Sequence, residues 1–292
     1  MKKIFKILKE YLKNLINSIV RDDFANAAGE MAYMMALGIF PFMLFLMAVF
    51  GSLGKTFFVN KIIFGLSTIA PEGVIDMINK VLAEVVIFKS GKLMALVGFF
   101  VTMFLTSNAI AVIIKGLNRA NNVSENRSFI KVRLLSMLMV FVNTFFLFIS
   151  INLIVLGKVI LNFIGMYLSI PNNIIDTVLI TRWPIAFLML FLLASINYYV
   201  LPARDFSAKR KSVIPGSMFF CVFWLLGSWA FSLYVNALGT YNKVYGTIGT
   251  FAILMVWLYY SSIILLIGAQ VNNQTLRKLI ILEKKKQKQL EE

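Results

Sequence analysis

Charged side chains are clustered along this chain, and between the clusters lie six stretches free of Asp, Glu, Lys and Arg: 31–53, 93–114, 134–157, 183–203, 212–242 and 244–276. About 20 apolar residues, rising about 1.5 Å each, cross a hydrocarbon core, where a helix satisfies its own backbone polar groups. Each stretch exceeds that length, so the pattern predicts an all-α, polytopic membrane protein: six transmembrane helices in a single domain over residues 1–292. The third span is apolar enough to run past Lys158 toward Leu168, as a long or tilted helix ending before Pro171.

The segments outside the spans have patterns of their own. Over residues 1–21, Phe5, Leu8, Leu12, Leu15 and Ile19 share one helical face, and Lys2, Lys6, Lys9 and Lys13 share another. A secretory signal needs a continuous apolar run, so this segment reads instead as an amphipathic helix lying in the cytoplasmic interface. Asp22 and Asp23 then open the first membrane helix, where carboxylates suit the positive end of the helix dipole. Between spans one and two, the short apolar runs Val59–Leu66 and Val81–Phe88 flank the turn signal Pro71-Glu72-Gly73. They predict two short amphipathic helices on the outer face, or a re-entrant cap. Residues 273–292 read as a basic tail, with Lys284, Lys285, Lys286 and Lys288 facing headgroups or solvent.

Composition agrees: 60% of residues are hydrophobic, only 14% are charged and the mean hydropathy is +0.83, an excess that lipid-facing surface accounts for. A net charge of +16 on a soluble protein would suggest nucleic acid. Here the basic residues flank spans: 21 of the 29 fall in 2–30, 115–133, 204–211 and 277–292, and 8 fall on the opposite side. The positive-inside rule then places both termini in the cytoplasm of a bacterial inner membrane, with membrane lipids as the first partners and no nucleic acid. The single cysteine, Cys221, lies within a span and reads as packing.

Catalytic patterns are absent from the sequence. There is no histidine, which removes a Ser–His dyad, a His-ligated zinc and a His proton relay. The nearest approach to a phosphate loop, Gly51-Ser-Leu-Gly54-Lys55-Thr56, has Val49 where its first glycine belongs. No catalytic residue, metal ligand or cofactor is expected, and the chain does not read as an enzyme. Polar residues bordering the spans carry more information, because a membrane helix tolerates them mainly where they face protein, water or substrate. Glu30 stands beside the ladder Ala28, Ala32 and Ala36, whose spacing lets another helix approach closely; it is either an ion-pair partner or the edge of a functional cavity. Asn108, Asn143, Asn152, Asn197 and Asn236 either bridge helices or touch a substrate.

One ordered set of motifs extends over nearly the whole chain. It comprises Met31-Ala-Tyr33, Phe40-Pro41, Leu117-Asn118-Arg119, Asn197-Tyr-Tyr-Val-Leu-Pro202, Ile214-Pro-Gly216, Tyr234 with Asn236, Tyr241-Asn-Lys-Val-Tyr245-Gly246-Thr-Ile-Gly249, Trp257-Leu-Tyr259 and Gly268-Ala269-Gln270-Val-Asn272. The set resembles the YihY/BrkB envelope-integrity family. In that family the last motif usually reads Gly-Ala-Glu, whereas this chain has Gln270. The resemblance implies a six-helix inner-membrane protein linked to envelope integrity, resistance to serum killing and transport of solutes or lipids. An older ribonuclease label on the family is opposed by the missing histidines.

The expected function is transporter-like: moving or positioning a lipid or anionic amphipathic envelope component, held among spans one, two, four and six. The candidate substrate contacts are Glu30, Tyr33, Asn108, Asn118, Arg119, Arg133, Asn197, Tyr199, Tyr245 and Gln270, with Pro41, Pro202, Pro215, Gly246 and Gly249 as points of kinking or gating. A non-transporting scaffold for envelope-assembly proteins is the alternative. The topology is directly testable. Reporter fusions after Asp205 and at the C-terminus should read cytoplasmic and fusions near Glu72 and Lys243 external; a cytoplasmic signal at Lys243 overturns the six-span arrangement.

Overall fold

A computed structural model describes residues 2–51, 92–168, 172–203, 213–237 and 241–291. They form seven helices: α1 (Lys2–Arg21), α2 (Phe24–Gly51), α3 (Lys92–Asn121), α4 (Phe129–Leu168), α5 (Asn172–Val200), α6 (Val213–Ala237) and α7 (Tyr241–Glu291). Among the described residues there is no strand. Segments of four helices are long and apolar enough to cross a membrane: Phe99–Asn121, Phe129–Leu147, Val213–Val235 and Phe251–Ile281. The apolar segment Pro184–Val200 of α5 is shorter. The short helices expected within 55–92 and the 204–211 loop lie outside the described residues, as do the side chains of Asn152, Asn236, Tyr245 and Gly246.

Several boundaries follow from local chemistry. The helix of the expected third span continues to Leu168, giving α4 40 residues and a length of about 60 Å. The Gly-punctuated stretch Tyr241–Gly249, whose Gly246 and Gly249 were expected to kink or gate, is the beginning of α7. In an apolar setting a helix keeps its backbone bonds internal, which outweighs the modest intrinsic cost of glycine. The far end of α7 likewise stays helical to Glu291 rather than fraying at residue 273, because Leu, Lys, Glu and Gln are good helix formers. Pro41 and Pro184 lie inside α2 and α5, Pro215 lies in the first turn of α6, where a missing N–H costs nothing, and Pro202 follows the last turn of α5.

The core is built where α2, α3 and α7 meet, with α5 and α6 closing one side of α7 and α4 bridging α3 to α5. Ala28, Ala32 and Ala36 are all buried, as their ladder predicted; Ala32 and Ala36 pack on Leu258 of α7. The closest approach is between α6 and α7. A Cβ on Gly216 would lie 2.1 Å from the Gly268 carbonyl oxygen and 2.5 Å from the Asn272 amide, and one on Gly268 would lie 2.2 Å from the Tyr198 hydroxyl. Outward-facing positions such as Phe100, Leu138, Phe223, Leu226 and Trp229 are exposed apolar side chains, an arrangement suited to lipid rather than water.

The helix α1 divides its apolar residues between two surfaces. Leu15 is buried and Ile19 packs against the core, while Phe5, Leu12, Ile16 and Val20 are exposed. Lys278 of α7 lies over the Tyr11 ring at 4.5 Å, so α1 is seated on the projecting part of α7.

The glycine contacts generate a graded prediction. Gly216→Ala should force α6 from α7 against backbone and lower stability by about 1–3 kcal/mol. Gly116→Ala, opposed mainly by the flexible Met31 side chain at 2.7 Å, should cost less. Gly29→Ala, with nothing within 4 Å of its Cβ, should be neutral or stabilising by up to about 1 kcal/mol from helix propensity. Thermal unfolding in detergent would measure the order, and equal losses at the three sites would contradict the α6–α7 crossing.

Candidate functional site

Polar chemistry concentrates at one end of the bundle, where the α1–α2 turn, the end of α3, the α3–α4 loop and the end of α5 converge. The turn is made by Asp23, whose φ of 49° is left-handed. Its carbonyl accepts the Ala27 N–H at 3.2 Å, opening α2, and its carboxylate accepts the Asn26 amide at 2.7 Å. The end of α3 is closed by Asn122, also left-handed at a φ of 54°. There the Asn122 N–H donates to the Arg119 carbonyl (3.0 Å) and the Val123 N–H to the Asn118 carbonyl (3.0 Å), the paired bonds of a Schellman cap. Asn and Asp tolerate this conformation better than other residues with a side chain.

Two charged groups cross between these turns. Arg21 donates from Nε and Nη2 to the two oxygens of Asp22 at 2.8 and 2.9 Å, and Nη2 also reaches Asn122 Oδ1 at 3.4 Å. Arg119 lies 3.5 Å from the Asp23 carboxylate. The Arg21 guanidinium holds the Asp22 carboxyl below its ordinary range. Between them is an open pocket of about 370 Å³, lined by Arg21, Asp22, Asn118, Arg119, Asn122 and Ser124 together with Val123.

Beside the pocket, a polar clasp joins α3 to α5. Glu125 accepts from Arg127 Nε (2.7 Å), Arg127 Nη2 (2.6 Å), the Arg127 backbone N–H (3.0 Å) and Asn118 Nδ2 (2.8 Å). Arg127 Nη2 also donates to the Leu201 carbonyl at 2.7 Å, and Asn118 Oδ1 accepts the Ala203 N–H at 2.7 Å. The Arg127 hydrogen bonds, followed by that of Asn118, outweigh burial and pull the Glu125 carboxyl down to about 2.

The remaining candidates are distributed along the helices. Glu30 pairs with Lys115 at 2.7 Å on an exposed edge between α2 and α3. Asn108 accepts from Arg133 at 2.7 Å. Asn197 donates to Asn143 at 2.9 Å and to the Leu193 carbonyl at 2.8 Å, tying α5 to α4. Gln270 is buried on α7, its oxygen 3.5 Å from the Asn273 amide, which also donates to the Ala120 carbonyl at 3.3 Å. Tyr33 is exposed on α2, Tyr199 is half-buried, and Pro202 and Gly249 are buried. Thus, among the described residues, only Asn118 and Arg119 of the candidate contacts meet at the pocket. Arg21, Asn122, Glu125 and Arg127 were not singled out, and Asp22 was read only as opening a helix, although their density of charge and amide in 21–23 and 118–127 was visible. Among the described residues no group of three or more His, Cys, Asp or Glu side chains is placed to hold a metal ion.

Comparisons with known proteins agree with this helical membrane architecture. The family described as virulence factor BrkB matches residues 15–291. The ribonuclease-like protein YfkH of Bacillus subtilis is 27% identical over 262 residues, 90% of this chain and 94% of its own. A UPF0761 membrane protein of Pasteurella multocida is 30% identical over 87 residues, 30% of this chain and 27% of its own. One from Coxiella burnetii is 27% identical over 138 residues, 44% of this chain and 47% of its own. No solved structure matches.

The clasp has a definite pH signature. A carboxyl depressed from 4.5 to about 2 contributes stability that is fully present above 4.5 and lost as the pH falls through 2. Glu125→Gln should therefore cost about 1.5–3 kcal/mol at pH 7, the range for hydrogen bonds to charged groups. Melting temperatures measured from pH 7 to pH 2 should show wild type and variant converging below 4.5; a constant gap would remove Glu125 from the clasp.

Proposed function

The chain belongs to the BrkB family, and we propose that it is a six-span protein of the bacterial cytoplasmic membrane, with both termini inside, that moves or positions a lipid or anionic amphipathic envelope component. The observation that carries the reading is the pocket at the α1–α2–α3 corner, whose volume of about 370 Å³ suits a headgroup. Arg21 and Arg119, each shared with an Asp carboxylate, offer it guanidinium donors, and Asn122 and Ser124 offer hydrogen bonds. Next to it, the exposed stripe Leu12, Ile16 and Val20 on α1 offers an apolar surface. A ligand with an anionic head and an apolar body matches both halves.

The side is supported by charge. The segments holding 21 of 29 basic residues include those that converge on the pocket end, which the positive-inside rule assigns to the cytoplasm. We read no hydrolytic activity into the chain: it has no histidine, and among the described residues no group of carboxylates is placed to hold a metal ion for attack on RNA. The scaffold reading is favoured by one feature, the 51-residue α7, about 76 Å long against a hydrocarbon core of about 30 Å. Its projecting end, with α1 laid on it, would serve as a platform for envelope-assembly proteins.

Proteoliposomes carrying fluorescent phosphatidylglycerol in both leaflets separate the two readings. The wild type should expose the inner-leaflet pool to an external quencher faster than protein-free vesicles do. The double variant Arg21→Gln/Arg119→Gln should slow this about tenfold or more, the loss of one to two charge-assisted contacts, at unchanged membrane level. A wild-type rate equal to that of empty vesicles removes lipid movement and leaves the scaffold.

A further inference from the structure

Arg133 stands apart from the other cations of the bundle. It lies in the second turn of α4 and crosses to α3, where Nη1 donates to Ser107 Oγ at 2.9 Å and to Asn108 Oδ1 at 2.7 Å. Its Cζ sits 3.6 Å from the centre of the Phe104 ring. Ser107 donates its own proton to the Phe104 carbonyl at 2.7 Å, leaving its oxygen free to accept. Nε is buried with no hydrogen-bond partner among the described residues.

Every partner of this guanidinium is neutral. Neither α3 nor α4 contains a single Asp or Glu, and among the described residues the ion pairs bring carboxylates to Arg21, Lys115, Arg119 and Arg127 instead. The surroundings are apolar and open sideways: Phe104 is 43% exposed, Phe129 75%, Ile130 68% and Leu134 61%. Asn108 lies seven residues from Lys115, the next charge along α3, hence about 10 Å further into the apolar layer. A guanidinium held there against lipid, without a protein anion, is costly unless a counter-charge comes from outside the chain. The available one is the phosphate of a lipid whose acyl chains lie along the exposed faces of α3 and α4.

We propose that Arg133, fixed by Ser107, Asn108 and Phe104, is a lateral binding site for the phosphate group of a net-anionic phospholipid. Arg suits the task because Nη2 retains its donors for phosphate after Nη1 is engaged and Nε is enclosed, and its flat face stays on Phe104. The inference requires α3 and α4 to lie in a bilayer, but it is independent of lipid movement and of the pocket at Arg119.

Native mass spectrometry of the full chain, released from nanodiscs of phosphatidylglycerol or of phosphatidylcholine, reads the site without any transport assay. The wild type should retain phosphatidylglycerol, and Arg133→Gln should weaken that binding about tenfold or more. Arg133→Lys should recover only part, since a point charge replaces the fork. Melting temperature provides a second readout: added phosphatidylglycerol should raise it for the wild type and less for Arg133→Gln, whereas inorganic phosphate should not. Equal retention by wild type and Arg133→Gln overturns the site, as does equal retention of phosphatidylcholine and phosphatidylglycerol. Full stabilisation by inorganic phosphate would make it a soluble-anion site and also refute the proposal.

Discussion

Hydrocarbon offers a side chain nothing to hydrogen-bond to, and the internal order of this bundle follows from that one constraint. Tyr198 of α5 donates to the Leu265 carbonyl of α7 at 2.9 Å, and Ser195 of α5 to Ser217 of α6 at 3.0 Å. The Gly216 N–H of α6 donates to Asn272 of α7 at 2.7 Å, and Asn197 joins Asn143 across α5 and α4. Such bonds contribute only about 0.6 kcal/mol each on average in membranes, too little to hold a bundle together. Their effect is to select register. A helix slipped by one residue would leave several of these groups facing lipid unpaired, while the close glycine crossing of Gly216 on Gly268 would be lost. Packing supplies the cohesion, and the polar pairs decide which packing is kept.

That division explains what was legible beforehand. The helical class followed from charge-free stretches, because lipid demands both apolar faces and self-satisfied backbones. The Ala28, Ala32 and Ala36 ladder announced a close helix approach, and α2 makes it. The polar contacts were legible as positions only. Asn118, a candidate ligand, spends both ends of its amide on Glu125 and Ala203, 85 positions away in the latter case. Spacing along one helix carries no information about which distant turn will meet it. The apolar stripe of α1 was equally visible, but its split into Leu15 toward the core and Ile16 toward the outside depends on where α7 runs.

The charged end of the bundle shows how such contacts stay specific without being strong. Four cations there and along its edge each find a carboxylate, but the Lys115–Glu30 pair is well exposed, and exposed pairs contribute at most about 1 kcal/mol. The Glu125 clasp differs because one carboxylate gathers a guanidinium fork, a backbone N–H and an amide. It fixes the end of α3 relative to the end of α5, whereas the α1–α2 turn is held by the burial of Phe24 in the core and by longer polar contacts of 3.4 and 3.5 Å.

Gln270 bears on how the end of α3 is anchored. Its amide is buried beside Asn273, whose own amide reaches the Ala120 carbonyl at the end of α3. Where relatives in the resembling family usually carry Glu, a charge at this depth would need a nearby cation or a proton. Among the described ion pairs, none involves a residue of α7. A neutral amide avoids that cost and keeps an acceptor for Asn273. The amide thus leaves the α7–α3 joint in this chain uncharged.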